Sequence, residues 1–164
     1  MSTAAAIARY SAIWAAFGLA SGWWVNRWSV TSLDHDTWLT RARTWERDGR
    51  AYERLRIRRW KDRLPEAGDF FRGGMSKKRL GGRSPADLRS FAAETRRAES
   101  VHWLNIGFAP TFLIWSSPAV GSVIVAFALV VHLPFVAIQR YNRARLLRVL
   151  RRQGGRSLAG SAGR

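Results

Sequence analysis

Charged residues are absent from one long block of the chain, residues 100–139, which holds apolar and small side chains together with two histidines. A single α-helix of that length would measure about 60 Å, whereas the hydrocarbon core of a bilayer is about 30 Å thick. Two helices joined by a turn fit better, and Pro118 disfavours helix in the residue before it. The pattern predicts a transmembrane hairpin over 101–116 and 119–138; a buried hairpin of a soluble protein is the alternative.

A second apolar run lies near the N-terminus, at residues 4–26. Arg9 interrupts it close to one end, where a long side chain can reach the interface, and Trp23, Trp24 and Trp28 lie at the other end, as in an aromatic belt. We predict a transmembrane helix over 4–26. A cleaved signal peptide is the alternative, but it requires positive charge before the run and small residues after it.

The region between these runs, residues 38–100, is polar and strongly basic. Its first half carries aromatic residues at spacings of seven, seven and eight, which predicts an amphipathic helix lying at the membrane interface and ending at Pro65. The aromatic positions are Trp38, Trp45, Tyr52 and Trp60. Ser84 before Pro85 is typical of a helix N-terminus and predicts a second helix running into the membrane.

The charge distribution predicts the topology. Eighteen Lys or Arg residues lie in residues 39–100 and eight in 140–164, against two in the first 38. By the positive-inside rule, both basic regions face the cytoplasm. The sequence therefore predicts one domain over 1–164, an all-α, multi-pass protein of the cell membrane, in which a basic cytoplasmic helix over 139–155 ends at Gly154 and Gly155 and a disordered tail follows over 156–164.

The composition narrows the chemistry. The net charge of +17 is compatible with nucleic-acid binding, but that function does not explain three apolar segments, so we expect the bilayer and no nucleic acid as partner. The absence of cysteine excludes thiol nucleophiles and cysteine-based metal sites, and there is no Gly-x-Ser-x-Gly or phosphate-binding glycine motif. We expect no metal and no cofactor.

One group of ionisable residues lies where the second polar helix meets the membrane: Glu94, Glu99 and His102 in "ETRRAESVHW". On a helix, His102 is one turn from Glu99. A carboxylate beside an imidazole would orient it and raise its basicity, as a general base requires. The alternative is a salt-bridge cluster in which Glu94 and Glu99 offset Arg96 and Arg97. His132, before Pro134 in the last span, is more typical of a packing residue.

Four stretches, "IRRWKDRLPEAGDFFRGGMSKKRL", "FAAETRRAESVHW", "PTFLIW" and "LPFVAIQRYNRAR", closely resemble the glycosyl-4,4'-diaponeurosporenoate acyltransferase family of small bacterial membrane proteins. The resemblance covers about residues 38–148. It implies acyl transfer from an acyl-CoA or acyl-carrier-protein donor to a sugar hydroxyl of a glycosylated carotenoid or another glycolipid.

Matched by position, the family motifs point to two groups of residues. Candidates for catalysis are the ionisable groups of the first two motifs, with His102 as base and a carboxylate orienting it: His102, Glu99, Glu94, Asp69 and Asp62. Candidates for substrate binding are Trp60, Lys61, Arg96, Trp103, Gln139, Arg140, Tyr141, Asn142 and Arg143. Of these, Arg140 and Arg143 are the first choices for an anionic donor or the oxyanion.

Two other functions remain as alternatives. A non-catalytic membrane adaptor would bind anionic lipid through the basic faces, each Lys or Arg contributing about 1 kcal/mol near the surface. A transferase of another group, such as methyl, would need a cofactor pocket. Carboxylates converging near His102 favour the acyltransferase, because an adaptor gains nothing from them.

Overall fold

A computed structural model describes residues 2–64 and 84–161 of the chain, with side chains up to residue 155. Every regular element within those residues is helical, so the predicted all-α class is confirmed. The α-helices are α1 (Thr3–Asn26), α2 (Arg50–Arg54), α3 (Ile57–Trp60), α4 (Pro85–Phe108), α5 (Phe112–Trp115) and α6 (Pro118–Ser161). Short 3₁₀ segments lie at Thr31–Leu33, Thr44–Gly49, Lys61–Arg63 and Ala109–Thr111.

Helices α4 and α6 form the main packing interface of the fold. Helix α4 begins as predicted: Ser84 is its N-cap, the Ser84 hydroxyl accepts a hydrogen bond from the Asp87 backbone N–H at 3.1 Å, and Pro85 occupies the first helical position. It ends at Phe108, because Pro110 disfavours helix in the residue before it. The first arm of the hairpin is therefore α4, a 3₁₀ turn and α5, instead of the single helix predicted over 101–116.

The hairpin turn closes tightly around Gly121. A Cβ atom at this position would lie 2.6 Å from Leu113 Cδ2 and 3.0 Å from Leu113 Cα. The backbone of α6 therefore approaches α5 at a distance that only glycine permits. This contact sets the depth at which residues of α4 face residues of α6.

Helix α6 is longer than the sequence predicted. It continues through Pro134 and beyond Gly154 and Gly155, where its end was expected, to Ser161. Residues 156–161 are therefore helical, which corrects the predicted disordered tail; residues 162–164 lie outside the described residues. A helical glycine costs only about 1 kcal/mol relative to alanine, so two glycines do not stop a helix that is already propagating.

Helix α1 packs against α4 and covers the residues 4–26, over which a transmembrane helix was predicted. Asn105 Nδ2 donates to Ser21 Oγ at 3.1 Å, and the rings of Phe17 and Phe108 stack with centroids 3.8 Å apart. Among the described residues, one helix is long and apolar enough to cross a membrane, and it is the part of α6 from Pro118 to Gly155.

The interfacial helix predicted from the aromatic spacing does not form as one helix. The segment consists of short helices and turns, including α2 and α3, with left-handed backbone at Arg47, Asp48, Gly49 and Arg56. The four aromatic side chains do not share a face: Trp38 and Trp45 are exposed, whereas Tyr52 is buried. The predicted end at Pro65 lies outside the described residues.

Tertiary contacts explain this break. A Cβ atom at Gly49, where φ is +86°, would lie 2.9 Å from Ala144 Cβ, so the segment packs directly against α6 at a residue with left-handed backbone. The close contact turns Glu46 and Tyr52 inward, and both are buried.

Candidate active site

A buried carboxylate lies between the two long helices. The Glu99 side chain of α4 has no exposed surface, and two arginines of α6 meet it: Arg140 Nε donates to Glu99 Oε1 at 2.7 Å, and Arg143 Nη1 lies 2.7 Å from Glu99 Oε2. The second pair is in ionic contact without the angles of a hydrogen bond. Trp103 Nε1 also donates to Glu99 Oε1, at 3.0 Å. Buried charge is tolerated only when it is paired in this way.

The same arginines bind the segment that follows α1. Arg140 contacts Glu46 Oε1 at 2.6 Å through Nη1 and donates to the Leu39 carbonyl at 2.6 Å through Nη2. Arg143 Nη2 donates to the Thr40 carbonyl at 2.5 Å. Each guanidinium therefore joins α6 to two other parts of the chain.

Arg96 extends these contacts along α4. Its Nε donates to Asp36 Oδ1 at 2.7 Å and its Nη1 to the Leu33 carbonyl at 3.2 Å, while Arg143 Nε lies 3.9 Å from the same Asp36 oxygen. We call the whole set the ion network; its members are Asp36, Glu46, Arg96, Glu99, Arg140 and Arg143. Three predicted substrate-binding arginines are therefore buried and have protein partners.

An aromatic cluster adjoins the ion network. Tyr52, Ile57, Ile138 and Tyr141 are buried together, and the Tyr141 hydroxyl accepts a hydrogen bond from Arg58 Nε at 2.9 Å. Burial and the neighbouring Glu46 carboxylate raise the pKa of the Tyr52 phenol well above its usual range. Tyr52 is therefore neutral throughout the physiological pH range.

Two histidines face each other on the apolar side of the ion network. His102 of α4 and His132 of α6 approach with their Nδ1 atoms 3.0 Å apart, within hydrogen-bond distance. The His102 ring stacks on the Phe135 ring with centroids 4.8 Å apart, and the centroid of the Trp14 ring of α1 lies 5.9 Å from that of the His132 ring. The His132 Nε2 atom is buried without a hydrogen-bond partner among the described residues.

This geometry constrains the protons of a neutral pair. One Nδ1 donates and the other accepts, so a single proton lies between the rings. The donating ring then has a bare lone pair on Nε2, and the accepting ring holds its proton there. In either tautomer, one of the two Nε2 atoms is a free base. When that base takes up a proton, the resulting imidazolium donates its Nδ1–H to the neutral partner ring.

The remaining predicted catalytic carboxylates lie elsewhere. Glu94 pairs with Arg97 at 3.2 Å, and Arg97 also donates to the carbonyls of Val25 and Trp28 at the end of α1. Asp62 is exposed and contacts the neighbouring Lys61. Asp69 lies outside the described residues, so the predicted approach of Asp69 to α4 lies outside them as well.

The sequence predicted that a carboxylate is the partner of His102. In the structure the partner of His102 is His132, and the carboxylate of Glu99 instead contacts Arg140 and Arg143. A sequence signal for His132 exists: His102 and His132 each lie 15 residues from Ser117, in the hairpin turn. Residues at equal distances from the turn of an antiparallel hairpin lie at similar depth. Within the described residues, no group of three or more His, Asp or Glu side chains is arranged to hold a metal ion.

The other predicted binding residues surround the network. Trp60 Nε1 donates to the Leu55 carbonyl at 3.0 Å, and Gln139 is half-buried beside Arg140 on α6. Lys61 and Asn142 line a cleft at the polar end of the α4–α6 pair.

Comparisons with known proteins agree with the motifs. The model of a family described as glycosyl-4,4'-diaponeurosporenoate acyltransferase matches residues 35–152. A protein of that name from Staphylococcus haemolyticus (strain JCSC1435) is 35% identical over 105 residues, covering 63% of this chain and 60% of the relative. One from Staphylococcus aureus (strain MRSA252) is 31% identical over 104 residues, covering 61% and 62%.

The chain therefore matches about three fifths of the length of these relatives. No solved structure matches it at a significant level. The family match runs from before α2 to residue 152 within α6, and it includes the ion network and both facing histidines. The chain belongs to the glycosyl-4,4'-diaponeurosporenoate acyltransferase family.

Proposed function

We propose that the protein is a membrane acyltransferase that moves a fatty acyl group from an acyl thioester to a sugar hydroxyl of a glycosylated lipid, such as a carotenoid glycoside. The relatives' name describes an acyltransferase for a glycosylated carotenoid acid. The observation that supports this chemistry best is the His102–His132 pair, which holds a free imidazole base in an apolar setting. Lipid substrates would reach such a base from the bilayer.

In the proposed reaction, the free Nε2 of the pair removes the proton of the sugar hydroxyl, and the oxygen attacks the thioester carbonyl carbon. A C–O bond forms, and the carbonyl electrons move onto oxygen. As the tetrahedral intermediate collapses, the C–S bond breaks and the imidazolium returns its proton to the departing thiolate. The same imidazole thus acts first as base and then as acid while the other ring of the pair accepts its Nδ1–H, and the products are an ester and a free thiol.

The ion network has a different role in this proposal. Glu99, Arg140 and Arg143 have protein partners, so we assign them as positioning residues that hold α4 against α6 and thereby set the distance between the two histidines. Arg96 and Asp36 hold the segment after α1 against α4. Oxyanion stabilisation and the contribution of Asp69 remain predictions from the motifs.

The proposed topology has three membrane crossings: α1, the arm containing α4 and α5, and the first part of α6. Large apolar side chains exposed on α1 and α6 support it, among them Ile7, Leu19, Val123 and Val130. Both basic regions would then face the cytoplasm. Cysteine labelling at Ser84 and Gly160 in intact cells tests this topology, and labelling of either site from outside would contradict it.

The test of the reaction is a transfer assay in membranes, with a labelled acyl thioester, a glycolipid acceptor and protein abundance checked by blot. For His102→Ala we expect turnover to fall about 10²–10⁴-fold, a typical contribution of a general base. The third histidine, His35, is exposed and outside the pair, so His35→Ala is the matched control and should keep wild-type turnover.

Full turnover in His102→Ala would remove the histidine pair from the mechanism. An intact protein with no transfer in the wild type, but with lipid binding that depends on its basic residues, would instead support the adaptor function.

A further inference from the structure

A cleft of about 510 Å³ opens at the polar end of the α4–α6 pair. Its lining includes four cationic side chains: Lys61 from the 3₁₀ turn after α3, and Arg145, Arg148 and Arg152 from α6. The three arginines follow one another at spacings of three and four residues and therefore share one face of the helix. Among the described residues that line the cleft there is no carboxylate.

Asn142 lines the same cleft and is nine-tenths buried. Its Nδ2 atom has no hydrogen-bond partner among the described residues. A buried amide donor without a partner is costly, and a ligand acceptor would relieve that cost. Lys61 contacts Asp62, so the three arginines and Asn142 supply the recognition.

We infer that this cleft binds the phosphate groups of the acyl donor, and that the donor is a coenzyme A thioester. Clustered arginines and an amide donor are the groups that recognise phosphate esters, and the cleft volume is that of a small-molecule site. The inference rests on the proposed acyl transfer. It replaces the predicted role of Arg140 and Arg143, whose guanidinium groups already have protein partners.

The position of the cleft fits this donor. Asn142 lies ten residues after His132 on α6, or about 15 Å along the helix axis, and Arg145 lies about 20 Å along it. The pantetheine arm of coenzyme A, when extended, has a comparable reach. Phosphates held in the cleft would therefore let the thioester approach the His102–His132 pair.

The test measures binding separately from transfer. Purified protein in neutral detergent is titrated with coenzyme A, dephospho-coenzyme A and pantetheine, with tryptophan fluorescence as the signal. We expect affinity to fall in that order, because each step removes phosphate. The double variant Arg148→Gln, Arg152→Gln should weaken coenzyme A binding about tenfold or more, as expected for the loss of charge-assisted contacts.

Arg151→Gln is the matched control. Arg151 is on the same helix, carries the same charge and pairs with Asp48 on the surface instead of lining the cleft. Its removal should leave coenzyme A binding unchanged. Equal loss in both variants would attribute binding to general charge and overturn the inference, as would wild-type affinity in the double variant or equal binding of pantetheine.

A headgroup source of phosphate is tested with vesicles of phosphatidylglycerol or phosphatidylcholine. If the double variant loses affinity for phosphatidylglycerol but keeps it for coenzyme A, the cleft is a lipid site and the inference is wrong. Binding of only an acidic carrier protein would also overturn it. Coenzyme A binding that depends on the arginines, without any acyl transfer, would support the cleft as the donor site and contradict the proposed reaction. Normal acyl transfer by the double variant, with an unchanged KM for the donor, would support the proposed reaction and contradict the cleft as the donor site.

Discussion

The ion network and the histidine pair lie between the same two helices, yet they treat buried polar groups in opposite ways. In the network, the carboxylate of Glu99 meets two guanidinium groups, and Arg140 also meets a second carboxylate and a backbone carbonyl. In the pair, the two imidazoles meet each other, and His132 Nε2 has no partner among the described residues.

This difference suggests different roles for the two groups under the proposed function: the ion network is structural and the histidine pair is catalytic. In the network every charged side chain meets an opposite charge, although Glu99 Oε2 and Arg143 Nη1 touch without hydrogen-bond geometry, and such pairing holds the helices in one arrangement. A buried nitrogen without a partner costs free energy in the folded protein, and such a cost is typical of a functional site. Under the proposed function, we therefore assign reactivity to the histidines and a positioning role to the arginines.

The largest expected effect tests whether the histidines act as one unit. His102→Ala and His132→Ala should each lower turnover about 10²–10⁴-fold, since either change removes the shared proton. The double variant should be no worse than the more impaired single variant, because residues that act together are strongly non-additive. Transfer assays on the wild type, the two single variants and the double variant complete this double-mutant cycle.

Multiplicative losses in that double variant would indicate two independent roles and would contradict the shared-proton arrangement. Thermal unfolding of the same proteins in detergent provides the control, since both variants should remain folded.

A smaller effect, on stability, is expected in the ion network. Glu99→Gln keeps the size of the side chain but leaves Arg140 and Arg143 without their shared carboxylate, and breaking a buried ion pair typically costs about 3–5 kcal/mol. The thermal unfolding midpoint in detergent should fall clearly. Asp48→Asn removes the carboxylate of an exposed pair with Arg151 and is the matched control, with little change expected.

For Glu99→Gln, turnover per folded molecule should stay much closer to wild type than for His102→Ala. A stable Glu99→Gln protein with a loss of turnover as large as that of His102→Ala would transfer the catalytic role from the histidine pair to the carboxylate.

The smallest effect appears only at alkaline pH. Because the folded protein holds the Tyr52 proton more tightly than the unfolded chain, the stability that this proton contributes is complete below about pH 10 and is lost as pH rises further. The loss should therefore grow steadily between pH 10 and pH 11. Tyr52→Phe has no such proton, so its unfolding midpoint should fall less steeply than that of the wild type between pH 9 and 11.

Unfolding curves in detergent at closely spaced pH values measure this difference. Parallel curves for the two proteins would show that Tyr52 is not held neutral by burial beside Glu46.

The sequence by itself determined the helical class, the start of α4 at Ser84 and the family. Each depends on local information: an uncharged block too long for one span, an N-cap followed by proline, and motif strings whose order is visible along the chain. These features do not require knowledge of which helices touch.

Tertiary structure decided the partners. Spacing along one helix places Glu99 beside His102, but packing of α6 supplies two arginines for that carboxylate and a histidine for that imidazole. Likewise, a regular aromatic spacing predicted one helix that begins near Trp38 and ends at Pro65, and the close approach of Gly49 to Ala144 broke its described part into short helices and turns. Electrostatic pairing and steric contact between distant segments outweigh local periodicity, because a buried charge without a partner costs more free energy than a break in a short helix.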